Sequence, residues 1–317
     1  MGYIFKIAFK SGKFRLGFVT IAVILLLIIL YPLFNHTDPL KMDGGMFERP
    51  NLHEYLGGKK EVKAEEAVSG ANDDLLAQFG LTVVKKEAPK SLHILGTDNF
   101  GRDVFAELVA GTRTSLLIGL LAGIIATLIG LSIGLIAGYM GGQVDNILTT
   151  ITNIFIVIPS FVILVLVSVS LKSRSFVTTA LVIGITAWPW TARSVRAQTT
   201  SLRNRDHVNL SKLSGHSMPR IILKDILPYV ASYVMMAFIL QVASGILAEA
   251  SLSMLGLGPQ NVASLGLMMH WAMDFSALPT GAWWAFLPVV LMVALISFSL
   301  NLINSGLDQV FNPQIRS

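Results

Sequence analysis

Apolar positions in this chain gather into long uninterrupted runs rather than into the short alternating or amphipathic stretches of a water-soluble core. Residues 16–34 carry no charge and follow Lys6, Lys10, Lys13 and Arg15. The next uncharged runs are 114–144, 146–171 and 175–192, with Asp145 as the single interruption between the first two. Two more follow at 226–248 and 275–307. A helix rises about 1.5 Å per residue and a bilayer core is roughly 30 Å thick, so each run is of spanning length, the 175–192 run being short. The pattern predicts an all-α integral membrane protein with six transmembrane helices and both termini on one side. The first run is read as a spanning helix rather than a signal peptide, because its 19 uncharged residues exceed the usual apolar core of about 7–15 residues and no small-residue cleavage site precedes the polar segment.

Between the first two spans the character changes. Residues 35–94 are charged and contain Gly and Pro, which predicts a large extracytoplasmic loop. The division expected is 1–34 for the N-terminal tail and first span, 35–94 for the loop, and 95–317 for a core of five spans. A second hydrophilic stretch, 193–228, holds seven basic residues between Arg193 and Lys224. Short basic loops face the cytoplasm, and this loop and the N-terminal tail fall on the same side. The N- and C-termini are therefore expected inside. On that topology the cytoplasmic segments sum to +8 and the outer segments to −2.

Composition narrows the chemistry. The chain is 53% hydrophobic and 14% charged, against roughly 25% charged in soluble domains, so an ordinary soluble enzyme is excluded. It has no cysteine, which removes disulfides, thiolate metal sites and thiol nucleophiles. The six histidines form no HExxH pair, Gly12-Lys13 lacks the surroundings of a phosphate loop, and no nucleophile elbow is expected. No catalytic residue, metal site or cofactor is expected in this chain, nor any nucleic-acid partner, since the basic residues read as topology signals facing membrane lipid.

Within the spans, Gly130, Gly134 and Gly138, preceded by Gly119 and Gly123, recur on one helix face and allow another backbone to approach. That face serves either intrachain packing or a movable subunit interface. Pro159, Pro189 and Pro288 are expected to bend or unwind their spans, and Trp271, Trp283 and Trp284 fit an outer aromatic belt. Glu249, an acid inside an apolar stretch, is either structural or a gate. Asn153, Gln241 and Asn301 are candidates for the translocation path or for interhelical hydrogen bonds.

The 193–228 loop carries apolar Val208, Leu210, Leu213, Ile221 and Ile222 at helical spacing, interrupted at Gly215, which predicts two short helices meeting at a glycine. A loop that only sets topology or binds anionic lipid has the same composition. Its residues resemble the cytoplasmic coupling motif of ABC importer permeases. Asn209-Leu210-Ser211 stands at that motif's Glu-Ala-Ala position, Gly215 at its glycine and Ile226-Leu227-Pro228 at its closing Leu-Pro. Leu95-Gly96-Thr97-Asp98-Asn99-Phe100-Gly101-Arg102-Asp103 with Gly111-Thr112-Arg113-Thr114-Ser115 is similar to the segment before the second span of the oligopeptide/dipeptide type. Glu249-Ala250-Ser251-Leu252-Ser253-Met254-Leu255-Gly256-Leu257-Gly258, Trp283-Trp284, Pro288, Asn301 and Asn312-Pro313 follow in the family's order. Asn209 and Ser211 depart from the motif, as do Asp225, where a basic residue is common, and Asn153, where an acid is expected.

The resemblance implies a binding-protein-dependent inner membrane component in the cell membrane of a prokaryote. Its partners would be a homologous permease, two ABC ATPase subunits that bind ATP and Mg, and an extracytoplasmic solute-binding protein. It would form half of a path for peptides or oligosaccharides. Asn209, Leu210, Ser211, Lys212, Leu213, Gly215, His216, Arg220 and Pro228 would couple the chain to the ATPases. The alternative, an ion-coupled secondary transporter, would need intramembrane acids or broken-helix ion sites in repeated halves, and the sequence offers one boundary glutamate.

Overall fold

A computed structural model describes residues 8–36, 38–51, 92–171 and 174–311. Among the described residues the chain is helical, with no strand and only two isolated bridges, Met42 with Arg102 and Thr97 with Asp103. The helices are α1 (Gly12–Phe34), α2 (Val104–Met140), α3 (Gly142–Val157), α4 (Ser160–Ser170), α5 (Phe176–Leu202), α6 (Asp206–Leu213), α7 (Met218–Ile221), α8 (Leu227–Met254), α9 (Leu265–Asp274) and α10 (Trp283–Phe311). A π-helical turn, Ile222–Ile226, joins α7 to α8. Four helices, counting α7 to α8 as one, are long and apolar enough to cross a membrane, or five if α3 and α4 form one bent span.

The helix ends explain where the predicted boundaries move. The second run starts as helix at Val104, well before the uncharged residues, because Asp103 caps it and accepts from the Ala106 N–H at 2.7 Å. The 146–171 run is not one helix. It breaks at Pro159, which has no N–H to continue the ladder, and α3 and α4 meet at 84°. Pro189 and Pro288, by contrast, lie inside uninterrupted helices. The last helix begins at Trp283 rather than Phe275, since residues 275–282 form turns with Ser276 and Gly281 at positive φ. Most of the 35–94 loop lies outside the described residues. Its two described ends pair, the Asn51 N–H donating to the His93 carbonyl at 3.1 Å and the His93 N–H to Asn51 Oδ1 at 2.8 Å, and the Phe47 N–H donates to the carbonyl of Asp98 just beyond at 2.9 Å.

Helix α2 is the spine. A Cβ on Gly134 would meet the Ala192 carbonyl at 2.7 Å, and Gly130 and Gly138 face Thr191 and Thr199 as closely, so this ridge packs on α5. Gly119 and Gly123 meet Ile246 and Val242 of α8 in the same way. The glycine face therefore serves intrachain packing. Helices α1 and α10 run antiparallel through Gly17 against Ser299 and Gly306 against Phe14. The tryptophans expected in an outer belt differ in their surroundings. Trp283 is exposed, whereas Trp284 is buried and donates its Nε1–H to the Thr97 carbonyl at 3.2 Å. Gly134→Leu should therefore destabilise the solubilised protein by more than the roughly 1–3 kcal/mol usual for overpacking, because backbone lies opposite. Ile136→Phe, on an exposed face of the same helix, should leave the thermal unfolding midpoint within about a degree of the unaltered chain.

Candidate functional site

The 193–228 stretch folds into a short helix, a tight turn and the start of a span. Helix α6 ends in a Schellman arrangement: the Gly215 N–H donates to the Lys212 carbonyl at 3.0 Å and the His216 N–H to the Ser211 carbonyl at 3.2 Å. Such a turn needs a left-handed residue after the helix, and Gly215 has φ +76°. Among the described residues nothing lies within 4 Å of where a Gly215 Cβ would stand, so there the backbone conformation, rather than crowding, calls for the glycine.

One face of α6 anchors it. Val208 is fully buried and joins Leu135, Val195, Ile221, Ile222, Ile226 and Val230 in a core cluster beneath the loop. The Lys212 ammonium donates to the Arg203 carbonyl at 2.8 Å and sits 5.6 Å from the Tyr139 ring centre. The His207 ring stacks on Tyr229 and donates from Nε2 to the Asp225 carbonyl at 3.2 Å. The other face is open. Leu210 is 66% exposed and Leu213 86% exposed, with exposed Asn209 and Arg220 beside them and Ser211 and His216 half-buried. Two exposed leucines on a pinned, rigidly terminated helix constitute an apolar knob with a basic margin.

Pro228 stands one residue beyond the π turn, with Leu227 between. A proline in a helix cannot bond the carbonyl four residues back and crowds it, and the wider turn at Ile222–Ile226 accommodates this just before the span. The Ile-Leu-Pro signal in the sequence thus marks a helix irregularity, not a stop.

The polar candidates within the spans are scattered. Gln241 is buried and its Nε2 donates to Thr191 Oγ1 at 2.8 Å and to the Ala187 carbonyl at 3.0 Å, binding α8 to α5. Asn301 is exposed and donates to the Ser297 carbonyl of its own helix at 2.9 Å. Asn153 is exposed on α3. Glu249 is fully buried, and its carboxylate accepts from Ser115 Oγ and Ser253 Oγ, both at 2.7 Å. Ser115 Oγ in turn accepts from the Leu265 N–H at 3.1 Å. Glu249 is thus a knot between α2, α8 and the entry to α9.

Two features escaped the sequence reading. The Arg102 guanidinium lies 4.3 Å from both the Phe100 and Trp271 ring centres and donates to Glu107 Oε1 at 3.0 Å, clamping the loop onto α2 and α9. Beside it, Asp98 is buried, and loss of water pushes its carboxyl pKa up, against the lowering pull of N–H bonds from Arg102 and Phe100. The second is Gly130-Leu131-Ser132-Ile133-Gly134, which does have the letters of a nucleophile elbow. It lies inside α2 with no turn, and Ser132 Oγ donates to the Leu128 carbonyl at 2.8 Å. It is a helix-packing segment.

A bundle of long apolar helices with a folded, exposed knob between two of them defines an integral membrane protein. The chain belongs to the family described as binding-protein-dependent transport system inner membrane component, whose profile matches residues 130–317. It is 34% identical to the dipeptide transport system permease protein DppC of Bacillus subtilis over 232 residues, 72% of this chain and 71% of that one. It is 35% identical to the oligopeptide transport system permease protein OppC of Mycobacterium tuberculosis over 234 residues, 73% of this chain and 79% of that one. With OppC of Bacillus subtilis the identity is 31% over 229 residues, 72% and 74% of the two chains. A solved structure described as inward-facing conformations of the MetNI methionine ABC transporter superposes with a TM-score of 0.49 at 22% identity, covering 63% of this chain and 95% of that one. The chain is a multi-pass permease component of an ABC transporter, and these relatives do not favour the ion-coupled alternative.

Removing the Glu249 carboxylate would leave two buried hydroxyls without their acceptor, a loss of about 1–3 kcal/mol for each group left unpaired. Glu249→Ala should therefore lower the unfolding temperature of the solubilised protein by several degrees, and Glu249→Gln, which keeps the shape and one acceptor, by less than half as much.

Proposed function

We propose that this chain forms half of the translocation path of an ATP-driven importer for short peptides. A homologous permease supplies the other half, a solute-binding protein delivers cargo on the outer face, and two ATPase subunits, which hold ATP and Mg, bind the face that presents α6. In this reading α1, α2, the bent α3–α4 pair, α5, the α7–α8 helix and α10 are the six spans, and both termini lie in the cytoplasm. The chain carries out no covalent chemistry itself.

The observation that carries the reading is the exposure of Leu210 and Leu213 on α6, in the most basic stretch of the sequence. Apolar side chains on a helix anchored from beneath by Val208 suit a small interface with an apolar centre and a charged rim. Asn209, Ser211, Lys212, Gly215, His216 and Arg220 surround them, and Pro228 sets the start of the span that would carry the motion inward. Closure of the ATPases would move two such knobs together and rock the spans as rigid bodies. The peptide preference follows the printed functions of the relatives. Oligosaccharide transport has no support among them. Asn153 and Asn301, exposed on α3 and α10, remain path candidates in the assembled pair, whereas Gln241 and Glu249 hold helices together.

Purified with its ATPase subunits, a Leu213→Glu chain should retain at least about tenfold less ATPase, the loss expected for one central interface residue, while inserting normally. Gly215→Val, which strains a left-handed position by roughly 1–2 kcal/mol, should uncouple ATP hydrolysis from uptake, and Gly215→Asn, which tolerates that conformation, should not. Full ATPase retention and uptake by Leu213→Glu would reduce α6 to a topology signal. A single cysteine at exposed Ser214 should react with an impermeant maleimide only from the cytoplasmic side, and one at exposed Met46 only from outside. The opposite labelling would invert the assignment of faces.

A further inference from the structure

Helix α3 is held in an unusual way. Among its residues only Thr152 is buried, and it leaves α2 through Gly141 and Gly142, both at positive φ, a two-residue joint. Its far end breaks at Pro159. Near the joint stands Asp145, the only acid between Glu107 and Asp206. Its carboxylate is gripped from two sides by the Arg196 guanidinium of α5, through Nε and, at 2.7 Å, through Nη2. Thr149 Oγ1 donates to the same carboxylate at 3.0 Å, orienting it.

The partner helix is anything but loose. Arg196 lies on the stretch of α5 locked against the α2 glycines, the Gly138 position facing the Arg196 carbonyl. Seven residues further along, two helical turns and hence on the same face, is Arg203. Its guanidinium packs against Gly141 of the joint, and its carbonyl accepts from Lys212 of α6. The same end of α5 thus holds α6 by a hydrogen bond and α3 by a two-pronged ion pair.

We propose that the Asp145–Arg196 pair is a positioning strut that fixes the angle of α3 to α5 across the Gly141–Gly142 joint, so that displacement of α6 reaches α3 through the end of α5. Arginine's planar fork suits this role because two parallel bonds fix orientation as well as distance. A weakly packed helix on a two-glycine joint has no other polar tie of this kind to the bundle among the described residues. The proposal deepens the importer reading and rests on it for the source of the displacement.

The test uses the complete transporter in lipid nanodiscs. Because the chain has no cysteine, spin labels can be placed at Val157→Cys on the end of α3 and Leu181→Cys on α5, both exposed, and their separation measured without nucleotide and after trapping with ATP, Mg and vanadate. The unaltered pair should give a narrow distribution that shifts on trapping. Asp145→Asn or Arg196→Gln should broaden the nucleotide-free distribution and abolish the shift while ATP hydrolysis persists, and the double variant should be no worse than either single change. Arg196→Lys, which keeps the charge without the fork, should fall between. Narrow, shifting distributions in both single variants would overturn the proposal. So would failure of both variants to assemble, since the pair would then be a requirement for folding. If the unaltered assembly shows no shift but the variants still broaden, the strut stands and the importer reading fails.

Discussion

Close approach of helix backbones in lipid is the constraint from which the rest of this structure follows. Hydrocarbon offers no hydrophobic drive for helices to associate, so they must gain contact by packing closely. Helix α2 achieves this on two faces, with Gly130, Gly134 and Gly138 against α5 and Gly119 and Gly123 against α8. The three helices form one unit, and the two flanking ones lead to α6. Helix α5 ends at Arg203 beside α6, and α8 begins where α6 and α7 lead into the bundle.

Polar groups in this unit act mainly as ties. Gln241 fastens α8 to α5, Glu249 fastens α8 to α2, and Arg102 fastens the segment before α2 to α2 and α9. Each is buried and makes at least one hydrogen bond to another element, which offsets part of its lost hydration. Helix α3 is the exception, with an open surface and one ion pair to its neighbour. The bundle therefore divides into a tightly locked part, α2 with α5 and α8, and a more lightly held part, α3.

The runs of uncharged residues were enough to locate every long helix, because the length of bilayer to be crossed is set by physics rather than by neighbours. Their ends were less legible. Asp103 as a cap, Pro159 as a break and the positive φ of Ser276 and Gly281 are local decisions that hydropathy does not report. Pro189 and Pro288, expected to bend or unwind their spans, sit in uninterrupted helices, because the surrounding structure decides whether a proline breaks its helix. In the 193–228 loop, the spacing of Val208, Leu210 and Leu213 around Gly215 announced two short helices. It did not reveal that Val208 is the anchor and the leucines the open face. Partner choice was least visible for Asp145, whose role depends on Arg196, 51 positions away in sequence.

In the proposed importer the exposed side of α6 is the interface on which transport depends. A photoactivatable benzophenone attached to a single cysteine would test it, placed in turn at position 213 and at position 181, in the transporter purified with its ATPase subunits. A crosslink to an ATPase subunit is expected from position 213 and none from 181. No crosslink from position 213, or equal crosslinking from both positions, would contradict it.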